Sequence, residues 1–196
     1  MTTLEYLVIA GVAVNFIGSS FYISRTLRGV TKPNRVTFFI WALAPMIAFA
    51  AAISDGVGWA ALPVFVSGFI PILILLASFV NKNAYWKISR FDYACGTISI
   101  LALVFWRMTG DPAVAVLLAI VSDALASLPT VIKSWRFPET EYWSGYAGAI
   151  VAAITALIAA PSFTFTAVAF PIYLIVVCTL LLLGIFQKQL HFRVSA

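Results

Sequence analysis

The sequence predicts an all-α membrane protein with seven transmembrane helices, arranged as two parallel three-helix repeats joined by a linker helix. Three observations lead to this fold class: the hydropathy of the chain, the placement of its basic residues and an internal repeat. Of the 196 residues, 63% are hydrophobic and 10% are charged, whereas a soluble domain has about 25% charged residues. The composition therefore indicates a chain that crosses a lipid bilayer several times.

Hydrophobic segments alternate with short polar breaks along the whole chain. Because a helix needs about 20 residues to cross a bilayer, the predicted spans are residues 4–24, 36–53, 57–80, 91–108, 112–132, 142–160 and 163–186. The fourth span is the weakest, because its uninterrupted apolar core, from Tyr93 to Trp106, is short for a full crossing. No cleavable leader is predicted, since the first residues carry Glu5 and no basic region.

The basic residues favour all seven spans. On this topology, eleven of the 12 Lys and Arg residues lie on one side of the membrane, and only Arg107 lies on the other. Without the fourth span, Lys133 and Arg136 would face outwards. The positive-inside rule then predicts an outward N-terminus and a cytoplasmic C-terminus. Because these charges are topology signals spread over separate loops, the net charge of +5 predicts no nucleic-acid partner.

The predicted location is a cell membrane, with the lipid bilayer as the partner of the chain. None of the asparagines lies in an N-x-[ST] glycosylation acceptor, and the loops are short. These features favour a bacterial inner membrane. The sequence leaves open whether the chain forms homo-oligomers.

An internal repeat relates the two ends of the chain. The segment NFIGSSFYISRTLR, which starts at Asn15, aligns with DALASLPTVIKSWR, which starts at Asp123, at a shift of 108 residues. The match pairs polar and charged positions. With a loop shortened by three residues it pairs Trp41 with Tyr146, and with a further shortening of five it pairs Pro71 with Pro171. We therefore predict a first repeat at residues 1–80, a linker helix at 81–110, and a second repeat with a cytoplasmic tail at 111–196.

Asp123 is the central residue of the segment from Pro112 to Ser134, and Asn15 is likewise central between Leu4 and Thr26. A carboxylate at the bilayer midplane costs about 2.5 to 3.5 kcal/mol on insertion scales, so it is expected to face the interior of the bundle. Helical spacing adds Ser127 and Thr130 to the stripe of Asp123, and Ser19 and Tyr22 to that of Asn15. The candidate substrate-binding or proton-coupling residues are Asp123, Asn15, Ser19, Tyr22, Ser127, Thr130 and Trp41.

Each of these candidates also has a structural interpretation. Burial favours the neutral acid, so Asp123 is a candidate to exchange a proton during transport, but an Asp123 bonded to Asn15 would instead tie the two repeats together. Trp41 is a candidate gate, although membrane interfaces use the same residue type. Four prolines that interrupt spans are either hinges or static kinks: Pro45, Pro71, Pro129 and Pro171.

The sequence offers no support for an enzyme, a cofactor or a metal site. The single histidine, His191, lies in the tail, and Ser144 has no base nearby in sequence. Cys95 and Cys178 fall inside spans, and no disulfide is predicted. Other polar residues have ordinary explanations: Glu139 and Glu141 are expected to be solvated loop charges, and Asp92 to begin the linker helix, where an acid suits the helix dipole.

The segment LPTVIKSW is similar to a proline-glutamine motif with a downstream basic residue, with Pro129 and Lys133 matching and Thr130 in place of the glutamine. The segment GVTKPNRVT, residues 29–37, is similar to the polar turn after that motif. With the predicted architecture, these features resemble the PQ-loop superfamily, which includes the SWEET sugar carriers and, by architecture, the ER retention-signal receptor. The resemblance implies a small-solute transporter that binds its substrate between the repeats. A ligand-responsive receptor or scaffold without translocation is the alternative.

Overall fold

The computed structural model describes residues 2–54, 62–108, 111–160 and 162–194. This part of the chain is all helical, which confirms the predicted all-α class, and the predicted start of the third span at residue 57 lies outside it. The seven α-helices are α1 (Thr3–Leu27), α2 (Arg35–Ser54), α3 (Leu62–Val80), α4 (Arg90–Met108), α5 (Pro112–Arg136), α6 (Trp143–Ile158) and α7 (Phe165–Val194).

Three of these helices are long and apolar enough to cross a membrane, which supports a membrane protein. The qualifying segments are Thr3–Leu27, Val116–Arg136 and Phe165–Gln187. Shorter apolar segments occupy Arg35–Met46, Val64–Val80 and Trp143–Ile158 within the described residues. Many large apolar side chains of the helices point away from the protein, as Phe79 and Phe105 do, each with about 60% of its surface exposed. A surface of this kind suits hydrocarbon rather than water.

Local capping fixes where several helices begin. Thr2 and Glu5 form a capping box at the start of α1, in which each side chain accepts a bond from the other residue's backbone N–H. Asp111 caps α5 by accepting from the N–H groups of the next turn. Asp92 lies in the first turn of α4, as predicted, and accepts bonds from the backbone and hydroxyl of Ser89. These side chains satisfy backbone donors that the first helical turn leaves without partners.

The helices pack in two matching sets. In the first set α3 packs against both α1 and α2, and in the second α7 packs against both α5 and α6. The sets meet through two further pairs, α1 with α6 and α2 with α5. The remaining helix, α4, packs against α5 and α2. Each contact within or between the sets therefore has a counterpart when α1, α2 and α3 are exchanged for α5, α6 and α7.

Small residues allow α1 and α6 to approach closely. A Cβ atom added to Gly148 would lie 2.7 Å from the Cα atom of Asn15, and one added to Gly18 would overlap the carbonyl of Ser144. The Ser144 hydroxyl also donates to the Gly18 carbonyl at 2.5 Å. Membrane helices associate through such close contacts because lipid removes the hydrophobic gain of burying larger side chains. Asn15 consequently lies at the junction of the two sets.

Candidate functional site

A cavity lies between the two sets of helices. We call the end of the bundle that carries the basic loops the inner end, and the opposite end the outer end. The outer chamber has a volume of about 430 Å³ and is lined by apolar residues such as Val8, Val12 and Ala156. The inner chamber, of about 160 Å³, continues towards the inner end. Both chambers are lined by Asn15, Pro45, Ser67, Asp123, Ala149, Phe170 and Leu174.

Asp123 lies where the two chambers join. Its Oδ2 atom accepts a hydrogen bond of 2.6 Å from the hydroxyl of Tyr173 on α7. The indole N–H of Trp41, on α2, is buried and makes no hydrogen bond of normal geometry, although it lies near enough to interact with the Asp123 carboxylate. Asp123 therefore bonds to Tyr173, which belongs to the same set of helices (α5, α6 and α7). Asn15 accepts its bond from Ser19 of its own helix, α1, and not from Asp123.

The predicted stripe on α1 faces the cavity over its whole length. Asn15, Ser19 and Tyr22 all line the inner chamber. The Asn15 side-chain oxygen accepts from the Ser19 hydroxyl at 3.3 Å, one helical turn away. Ser19 and Tyr22 are almost fully buried, with exposed fractions of 2% and 1%. The helical spacing of these three residues therefore places an amide and two hydroxyls along one wall.

The matching stripe on α5 reaches the cavity only at Asp123. Thr130 is buried against α2, where its hydroxyl donates to Thr37 at 2.9 Å. The Ser127 hydroxyl donates to the Ala124 carbonyl of its own helix at 2.8 Å and lies beside the Tyr173 hydroxyl. Neither Ser127 nor Thr130 is among the residues that line the two chambers. The reason is that neighbouring helices cover this part of the stripe, α2 at Thr130 and α7 at Ser127.

The candidate prolines lie inside helices, and three of them form cavity walls. Pro45 of α2 lines both chambers, Pro71 of α3 lines the inner chamber, and Pro171 of α7 lines the outer chamber. Pro129 of α5 is buried outside the cavity lining. A proline leaves the preceding turn without one backbone hydrogen bond. These three walls therefore have weakened points at the depth of the cavity, and a hinge role stays a prediction.

Aromatic rings close the inner chamber. The ring of Tyr22 packs against Phe38, with centroids 5.7 Å apart, and against Tyr146 at 6.0 Å. Phe38 in turn packs edge-on against Trp41 at 5.2 Å. These rings belong to α1, α2 and α6, so the contacts join both sets of helices.

An ionic cluster lies directly beneath these rings. The hydroxyls of Tyr22 and Tyr146 both donate to Oε2 of Glu141, each at 2.7 Å. The other oxygen, Oε1, lies 2.6 Å from the ammonium nitrogen of Lys133. We call Tyr22, Lys133, Glu141 and Tyr146 the inner polar cluster. It links α1, α5 and α6 through a single carboxylate.

The expectation that Glu141 is a solvated loop charge is wrong. Glu141 is 5% exposed and Lys133 is 2% exposed. Glu141 follows a short 3-10 turn, Pro138–Thr140, and this loop is held against the loop between α1 and α2 by a bond from the Lys32 N–H to the Thr140 carbonyl. Lys133 also donates to the Lys32 carbonyl. The loop therefore folds under the helices and takes the carboxylate out of solvent.

The sequence contains one indication of this cluster, the placement of two opposite charges at the ends of neighbouring predicted spans. Lys133 directly follows the fifth predicted span and Glu141 directly precedes the sixth. Two opposite charges at facing helix ends can meet in a short connection, whereas a tyrosine from the first helix cannot be anticipated. Tyr173 is a second residue that the sequence did not identify as a partner of Asp123, although its hydroxyl is unusual in the apolar α7 segment.

The cavity has one acidic side chain and mostly apolar walls. No Lys, Arg or His is among the described residues that line either chamber. The described part of the chain contains no group of three or more His, Cys, Asp or Glu residues placed to hold a metal ion. The described lining therefore presents one carboxylate, a few hydroxyl and amide groups, and a largely apolar surface. No protein-family model, curated protein or solved structure matches this chain.

Proposed function

We propose that this protein is a small-solute membrane transporter of the PQ-loop type, whose substrate binds between two three-helix repeats near Asn15 and Asp123. The observation that carries the proposal is the cavity itself. It lies at the junction of the two helix sets and contains the acid at its middle. A buried acid inside a membrane bundle is expensive, and such residues commonly mark substrate or ion pathways.

The pattern of helix contacts supports a repeat architecture. Exchanging α1, α2 and α3 for α5, α6 and α7 reproduces the packing within and between the sets. Two parallel copies related by an axis along the membrane normal would place a binding site on that axis, where the sets meet. In this proposal all seven helices cross a bacterial inner membrane, with the N-terminus outside and the basic loops in the cytoplasm.

Alternating access would follow from the asymmetry of the cavity. The larger chamber occupies the outer half of the bundle, while the aromatic rings and the inner polar cluster close the inner end. Release of a solute to the inner side would require Glu141 to part from Tyr22 of α1, whereas Tyr146 lies five residues after Glu141 in the same helix set. In the same cycle, Asp123 is placed to carry a proton or to bind the substrate.

Accessibility of the cavity from both sides of the membrane tests this proposal without knowledge of the substrate. Ser67 of α3 lines both chambers, and cysteine nearly preserves its shape. We would introduce Ser67→Cys after replacing Cys95 and Cys178 by alanine, and treat oriented vesicles with a membrane-impermeant methanethiosulfonate reagent. Leu76→Cys on the same helix is the matched control, because its side chain faces outwards from the bundle.

A transporter should show labelling of Ser67→Cys in right-side-out and in inside-out vesicles, because the cavity opens in turn to each side. The Leu76→Cys control should stay unlabelled in lipid from either side. Labelling of Ser67→Cys from one side alone, with folded protein, would contradict translocation. That outcome would favour the receptor or scaffold alternative.

A further inference from the structure

The charge of the cavity limits what it can bind. Asp123 is the one acidic side chain among the described residues of its lining, and no basic side chain accompanies it there. An anionic solute would face this acid with no counter-charge. A zwitterionic amino acid would bury its own carboxylate without a cationic partner, which is strongly unfavourable in low dielectric.

A single positive charge is instead well matched to this surface. An ionised carboxylate offers about four acceptor sites, and one oxygen of Asp123, Oδ2, receives the Tyr173 hydroxyl. Acceptor capacity therefore remains for the N–H groups of a ligand. Trp41 and Phe170 line the cavity around this point, and aromatic rings attract cations that have left water.

The remaining surface suits an apolar body. Val8, Val12, Ala119, Ala152 and Ala156 line the outer chamber beyond Asp123. The outer chamber, of about 430 Å³, lies within the usual range of small-molecule sites, which is about 300 to 1,000 Å³. A ligand of this size could hold its charged end at Asp123 and bury its hydrocarbon part in the outer chamber.

A bare metal cation fits less well. Hard cations such as Ca²⁺ require about six to eight oxygen ligands. The described lining offers one carboxylate and one amide side chain, with few hydroxyls, among largely apolar residues. An organic ammonium ion needs only one strong acceptor and recovers free energy through its apolar part.

We infer that the cavity binds a small organic ammonium ion, with one amine on an apolar body and no acidic group, through the carboxylate of Asp123. This inference rests on the proposed transporter function and names its substrate class. It also assigns Trp41 and Phe170 as the residues that contact the charged end or the adjoining carbons of the ligand.

Four probes that share a phenyl ring separate charge from hydrophobicity: phenethylamine, phenylethanol, phenylacetate and phenylalanine. Each is titrated at neutral pH against purified protein in lipid nanodiscs, and the thermal midpoint is measured. Phenethylamine should raise the midpoint in a saturable manner, because a ligand that binds the folded state stabilises it by mass action. The neutral, anionic and zwitterionic probes should have little effect.

Asp123→Asn tests the residue directly. Removal of the charge should weaken phenethylamine binding by about tenfold or more, as expected for a hydrogen bond to a charged group. Asp111→Asn is the matched control, since Asp111 caps α5 outside the cavity and asparagine caps a helix equally well. This control should bind phenethylamine as the wild type does.

Two results would overturn the inference. One is an equal response to phenylethanol and phenethylamine in the wild type, which needs no variant and therefore does not depend on the folding of Asp123→Asn. The other is undiminished phenethylamine binding by folded Asp123→Asn. Uptake of labelled phenethylamine into proteoliposomes separates the two claims. Binding of phenethylamine without its uptake would refute the proposed transport function. Uptake of a different solute that carries no amine would refute the proposed substrate class.

Discussion

Replacing Glu141 by glutamine removes the anion from the inner polar cluster and leaves the Lys133 ammonium buried without its counter-charge. The glutamine oxygen can still accept from Tyr22 and Tyr146, so the change isolates the ion pair. Lys133 is 2% exposed, Glu141 is 5% exposed, and their charged atoms lie 2.6 Å apart. Solvent screening is therefore weak at this pair.

The expected loss of stability is about 3 to 5 kcal/mol, the range found when one partner of a buried ion pair is removed. Lys133→Met should be less harmful, because two tyrosine hydroxyls continue to solvate the Glu141 carboxylate. Bonds of this kind to a charged group contribute about 1.5 to 3 kcal/mol each. The double variant, Glu141→Gln with Lys133→Met, contains no unpaired buried charge. Its loss of stability should therefore be smaller than the sum of the losses in the two single variants.

Unfolding by sodium dodecyl sulfate in mixed micelles, followed by circular dichroism, measures these free energies. The double-mutant cycle should give a coupling of about 2 kcal/mol or more. Glu139→Gln serves as the control, since Glu139 is an exposed residue of the same loop, and an exposed charge contributes about 1 kcal/mol or less even when it is paired. A loss below about 1 kcal/mol for Glu141→Gln, or additive single effects, would refute the buried pair.

Three further predictions address the cavity, the junction and the topology. Asp123→Asn should keep the fold but abolish transport or its proton dependence, measured in proteoliposomes across a pH series; unchanged flux and pH profile would make Asp123 structural. Gly148→Val should destabilise the protein by about 1 to 3 kcal/mol through overpacking, since even a Cβ atom would lie 2.7 Å from Asn15 Cα; wild-type stability in detergent unfolding would contradict this contact. Reporters fused after Val30 and at the C-terminus should be cytoplasmic and one after Arg107 external, and an internal signal at Arg107 would rule out seven spans.

The positions of the helices and the central place of Asp123 in α5 could be predicted from the sequence. The predicted spans at residues 4–24 and 91–108 correspond to α1 at Thr3–Leu27 and α4 at Arg90–Met108. Hydropathy predicts such segments because the backbone of a membrane helix is satisfied within the segment itself. The central place of Asp123 in its segment is equally a property of the local sequence.

The cavity-facing residues of α1 could also be predicted from the sequence, whereas those of α5 could be predicted only in part. Spacing decides that Asn15, Ser19 and Tyr22 share a face, and in the fold that face lines the cavity. The same spacing holds for Asp123 and Thr130, but Thr130 bonds to Thr37 on a neighbouring helix. Periodicity relates residues within one helix and does not state which neighbour covers each part of its face.

Only the tertiary structure decided the partners of the buried polar groups. Tyr22 and Glu141 are 119 residues apart in sequence, and Tyr173 and Asp123 are 50 apart. Their bonds depend on how whole helices and one short loop pack together, and no local propensity records that arrangement. Hydropathy therefore determined which segments form apolar helices, while packing determined that a loop glutamate becomes a buried ion-pair partner, since burial and hydrogen bonding depend on groups distant in the chain.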